Sequence, residues 1–169
     1  MRKQIDSIFV YLFFIACWIF FFYCYPYHLH YKEQITLCVL QPDFLQTYLQ
    51  KPAFLTEICG DYLTQFFLWT GGGSSILTLT FVFTWLGLRI ALRKTGITNH
   101  VSLWALLPIV AEWALSCHLE YPLSMSLGLM CSVWAFSLST LSTSTRTRGI
   151  LHVVMLTILY CAVGAHFFA

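Results

Sequence analysis

IFVYLFFIACWIFFFYCY, residues 8–25, carries no charged side chain. A helix over that run crosses a bilayer core of about 30 Å. Arg2 and Lys3 precede it and Pro26 follows it. A basic start before an apolar run also describes a cleavable signal peptide. Here the run passes directly into Phe20-Phe21-Phe22-Tyr23-Cys24-Tyr25-Pro26-Tyr27 with no small-x-small cleavage site, so it reads as an uncleaved signal anchor. Tyr23, Tyr25, Tyr27 and Tyr31 then fall at the outer interface, where amphipathic rings are favoured.

The remainder of the chain repeats this pattern. It is 59% hydrophobic and 9% charged, with a mean hydropathy of +0.74. A soluble domain carries about 25% charged residues, so a soluble fold with a polar surface is hard to build from this composition. A net charge of +2 is too small to imply a nucleic-acid partner. The expected spans are 8–25, 74–92, 100–117, 122–141 and 150–168, with an outer amphipathic segment over 26–73. The fold class is therefore an all-α integral membrane protein of five transmembrane helices. It forms a single transmembrane domain over 1–169.

Charge sets the expected orientation. With the N-terminus inside, Arg2, Lys3, Arg89, Arg93, Lys94, Arg146 and Arg148 fall on the inner side, and only Lys32 and Lys51 fall outside. That bias predicts a cytoplasmic N-terminus and an extracytoplasmic C-terminus in a bacterial inner membrane. The lipid bilayer is the expected partner, together with a membrane protein or the remaining part of a longer chain.

The segment 26–73 holds two helical patterns. Pro42 ends an apolar stretch, and Asp43 can cap a helix with Gln46 in the capping-box position. After Pro52, the pairs Phe54-Leu55, Ile58-Cys59, Tyr62-Leu63 and Phe66-Phe67 recur every four residues. They make a broad apolar face opposite one carrying Glu57 and Asp61. A helix lying on anionic lipid has Lys or Arg on its polar face. This one has none, so it is expected to pack on the spans or re-enter the outer leaflet, with its acidic edge toward water or a cleft. Gly71-Gly72-Gly73 then forms a hinge. It lacks the Lys-Ser/Thr and the preceding strand of a phosphate loop. Cys38 and Cys59 would pair only if this side is oxidising.

Glu112 is the most unusual residue, an acid inside the third expected span and four positions after Pro108. A carboxylate in hydrocarbon is costly unless it is paired or protonated. It is either a protonated acid bonded to a Ser or Thr hydroxyl, or a group that handles a proton, an ion or a substrate. His118 and Glu120 follow in the next outer turn and, with His28 and His30, make a weak set of metal-ligand candidates without a zinc spacing. Ser124, Gly128 and Ser132 have the small-xxx-small spacing of close helix packing. No cofactor motif is present.

Lys32-Glu33-Gln34 after an aromatic first span, Asp43-Phe44 opening a short helix, and Gly60-Asp61-Tyr62-Leu63-Thr64-Gln65-Phe66-Phe67 before the second span carry a resemblance. The region resembles the N-terminal part of an uncharacterised family of polytopic membrane proteins from Bacteroidota, over about the first 90 residues. Members have Pro-Gly-Gly where this chain has Pro52-Ala53-Phe54, and they are longer, with more spans. The resemblance implies location and topology, and it implies that this chain is an N-terminal fragment of a larger envelope protein.

Three functional readings stand. The first is a structural or interaction module of the envelope. The second is a glycosyltransferase-like enzyme using lipid-linked sugars, with Glu33, Asp43 or Asp61 as base. The third is a transporter component using Glu112.

Overall fold

The computed structural model describes residues 2–36, 46, 48–49, 53–97, 99–140 and 145–164. The Cys38–Cys59 pairing, the Asp43 cap and Lys51 fall outside the described residues. Among the described residues all regular structure is helical. In chain order it comprises α1 (Arg2–Ile19), a π-helical turn (Phe20–Cys24), α2 (Pro26–Ile35) and α3 (Phe54–Thr64). A 3-10 turn (Gln65–Leu68), α4 (Gly72–Lys94), α5 (Val101–Trp104), α6 (Leu106–Ser116), α7 (Leu123–Thr140) and α8 (Thr145–Val163) follow.

Three described stretches are long and apolar enough to cross a membrane: Asp6–Cys24, Gly72–Lys94 and Leu123–Thr140. Val101–Ser116 is a shorter apolar helix. Each coincides with an expected span. The fifth expected span lies largely over α8, which does not reach that threshold within its described residues.

Pro108 explains why the third expected span is in two pieces. A proline inside a helix clashes with the carbonyl four residues back and leaves it without a donor. α5 ends at Trp104, and Pro108 lies in the first turn of α6, where a missing N–H costs nothing. Ala105 is the joint and is fully buried.

Successive long helices run in opposite directions along the chain, which leaves α4 and α7 parallel: Leu77 and Leu123 meet near their starts, and Gly87 meets Val133 and Ser137 further along. At one end Asp6 of α1 meets His100, just before α5, with Nδ1 3.0 Å from the carboxylate. Arg89 and Arg93 from the last turns of α4 share that end. At the other end, α2 meets the turn between α6 and α7, and Leu77 near the start of α4.

α4 and α7 form the most extensive helix pair. Gly87 makes the close approach possible, since a Cβ there would stand 2.8 Å from Val133. Trp134 donates to the Phe83 carbonyl at 3.1 Å and Ser137 to the Gly87 carbonyl at 2.6 Å. Lipid tails are as apolar as leucine, so helices in a bilayer associate through such small residues and hydrogen bonds rather than through burial of apolar area. The hydroxyls of Thr78, Thr80 and Thr84 are satisfied by carbonyls one turn earlier. Edge-on aromatic pairs fill the core, Phe14 with Trp85 and Phe20 with Trp113.

α3 packs on neighbouring helices, one of the two placements expected for it, and does so through its small residues. Thr56, Gly60 and Thr64 are buried, whereas Leu55, Cys59 and Tyr62 are exposed. The helix packs on α7 and α8 through its small residues, with the Gly60 Cα carrying no Cβ because Ser124 backbone lies 2.8 Å from where one would be. An apolar face turned away from the protein is the arrangement of a lipid-facing helix. Glu57 and Asp61 lie partly buried at the edge between the faces, and Tyr48 donates to the Asp61 carboxylate at 2.5 Å.

Candidate functional site

α2 places the first member of the site. Pro26 occupies its first turn, and Leu29 and Lys32, one turn apart, form its buried face. Lys32 is 8% exposed. Its Nζ donates to the carbonyls of Ser116, the last residue of α6, and Tyr121, in the turn that follows, each at 3.0 Å. Those carbonyls come from the end of α6 and the residues after it, where intrahelical donors run out. Lysine has three donors, so two acceptors leave it one short. Among the described residues no carboxylate pairs with it. Burial lowers the Lys32 pKa from 10.5 to about 8.

α6 places the second member. Ile109, Glu112 and Ser116 form its buried stripe, while Pro108 is exposed on the other side. Glu112 is 1% exposed. Neither carboxyl oxygen is hydrogen-bonded to a described residue, although Ser126 of α7 approaches it. The Ser116 and Ser126 hydroxyls are likewise buried without a partner. A buried polar group left unsatisfied costs about 1–3 kcal/mol, and here several gather at one place.

That place is a cleft of about 450 Å³ between α2, the α6–α7 turn, the start of α7 and the 3-10 turn. Lys32, Thr36, Thr64, Ser116, Tyr121 and Ser126 give it polar points, and Phe67, Leu77 and Leu123 give it apolar walls. Glu112 stands one helical turn from Ser116 and beside Ser126, behind the wall. Tyr121 has its pKa raised, first by burial and then by Glu112. His28, one turn before Lys32, has its pKa lowered by burial and then by the Lys32 charge, and its Nε2 is buried without a partner.

The other candidate residues sit differently. Glu33 is partly buried on α2 and does not line the cleft, and Asp61 lies on α3 held by Tyr48. Glu120 is exposed on the rim, and His118 is exposed in the same turn. Among the described residues no three His, Cys, Asp or Glu converge as metal ligands. Sequence reading treated Lys32 as an ordinary outer charge. A lone cation two positions after a histidine, in a helix that must pack beside an intramembrane acid, is the signal that marked it.

Residues 2–169 match the model of a family of unknown function, DUF6057. The chain belongs to that family. The match runs through the whole of the described fold, past the first 90 residues to which the resemblance was limited, so the cleft of this DUF6057 chain lies entirely within the family's domain. No curated protein and no solved structure is similar to it.

Proposed function

We propose that this protein is a membrane-embedded binding module whose cleft takes the acidic polar group of an amphiphile, with the apolar part directed along the helices. The observation that carries this reading is Lys32, a buried ammonium facing a cleft with two neutral acceptors and no carboxylate partner among the described residues. A buried charge left uncompensated is costly, and an incoming carboxylate or phosphate oxygen would supply the missing acceptor. The cleft volume lies in the range of small-molecule sites, and apolar walls with a few convergent polar points are their usual construction. The module sits in a bacterial inner membrane, with the cleft on the extracytoplasmic side, in line with the distribution of basic residues.

A binding module fits better than a glycosyltransferase because Glu33 and Asp61, two of its candidate bases, do not line the cleft. The test uses purified protein in neutral detergent, with dodecanoate and uncharged dodecanol as probes. Dodecanoate is expected to raise the melting temperature by several degrees in the native chain and not in Lys32→Met, while dodecanol raises neither. Equal shifts with both probes, or an unchanged dodecanoate shift in Lys32→Met, would overturn the reading.

A further inference from the structure

The opposite end of the molecule holds a second, unrelated cavity. It measures about 340 Å³ and is lined by Asp6, Arg89, Arg93, His100 and Ser102 among others. Arg89 and Arg93 are one turn apart on α4, near enough that the Arg93 charge acts on Arg89. Like charges at that spacing repel. Among the described residues neither forms an ion pair with an acidic side chain; Asp6, which lines the same cavity, is paired with His100. The Arg89 guanidinium lies over the Trp85 ring, 5.1 Å from its centroid. Its Nε is buried with no acceptor.

Two adjacent guanidiniums, one lying over an aromatic face and carrying an orphaned buried N–H, open into one cavity. Guanidinium forks match phosphate oxygens in geometry as well as charge. We infer that this cavity is a binding site for a phosphate-bearing anion, bridged between Arg89 and Arg93. Both arginines lie in the last two turns of a helix long enough to cross the bilayer, which puts them at headgroup depth. The group it meets there is the phosphate of an anionic lipid, and a soluble phosphate ester has the same chemistry.

The full chain, held in neutral detergent, would be titrated with dihexanoyl phosphatidylglycerol, dihexanoyl phosphatidylcholine and inorganic phosphate, with bound fraction read by native mass spectrometry. Phosphatidylglycerol is expected to bind more tightly than phosphatidylcholine, whose phosphate is offset by its own ammonium. Affinity should fall about fivefold in Arg93→Gln, the scale of one basic side chain near an anionic surface, and further in the Arg89→Gln, Arg93→Gln double variant. Arg93 is exposed, so its single variant reports on binding even if loss of Arg89 disturbs the packing on Trp85. Displacement of the lipid by inorganic phosphate would support the site and assign it to a soluble phosphate. Retention of the lipid against phosphate would support it and assign it to the headgroup. Equal binding of the two lipids with no binding of phosphate, or unchanged affinity in both variants, would overturn it.

Discussion

Lys32 does two things at once. It ties α2 to the turn between α6 and α7, and it keeps a charge in a place that disfavours charge. Its pKa in the fold, about 8, is below the 10.5 of the free side chain. Between those values the unfolded chain binds more protons than the folded one, so stability rises with pH from about 8 towards 10.5. Below pH 8 both states are protonated and the penalty is at its full size. Unfolding in neutral detergent across this window should show the native chain gaining stability relative to Lys32→Met, since every other group that titrates there is common to both. No difference between the two chains across the window would mean that the ammonium is better solvated than its burial implies. Glycine contacts give a second test at this scale. A Cβ at Gly60 would stand 2.8–2.9 Å from Ser124 backbone and Cβ atoms, which cannot rotate away. Gly60→Ala is therefore expected to destabilise by about 1–3 kcal/mol, and no loss of stability would mean that α3 and α7 are not in close contact. Ala53, at φ 79° and fully buried, holds a backbone conformation that suits glycine. This is the position at which related chains were expected to carry it.

At the scale of the element, α3 separates pattern from placement. Its period of apolar pairs correctly marks a helix with two unlike faces, from Phe54 to Thr64. The pattern cannot say which face meets the protein, because that depends on the medium around the other. In water the apolar face goes inward, while in lipid the small face does. A nitroxide on Cys59, in a chain with the other cysteines replaced, is expected to be more accessible to oxygen than to a water-soluble nickel complex in bilayers. The reverse would place this face in water. On the same ground Leu55→Arg should lower stability in bilayers by about 2–3 kcal/mol, whereas a solvated position would tolerate it. The joint at Ala105 is a case where sequence and structure agree on cause. Pro108 announces a break, and the break falls where the lost hydrogen bond would have been.

For the molecule as a whole, alternate helix ends fall into two groups, one around Asp6, Arg93 and His100 and one around Lys32, Ser116 and Tyr121. Each group has its own cavity. Cysteines introduced singly at Asn99 and at Glu120, both exposed, should react with an impermeant maleimide from opposite sides of the membrane. Labelling from the same side would break the alternating arrangement of α4 to α7. The two proposed sites are also separable, since Lys32→Met is expected to leave phosphatidylglycerol binding unchanged and Arg93→Gln to leave dodecanoate binding unchanged.

Local composition alone determined the strongly apolar, helical character, the positions of three stretches long enough to span and the oddity of Glu112. Each follows from what the nearby chain can do in hydrocarbon, where backbone groups must be satisfied internally and charges are rare. Tertiary structure decided the rest. It turned α3 with its small face inward, left Glu33 and Asp61 away from the cleft, and set Lys32 among carbonyls that lie 84 and 89 residues further along the chain. Contacts at such separations carry no local pattern, because they depend on how helices cross, and crossing is set by a few close approaches such as Gly60 on Ser124 and Gly87 on Val133.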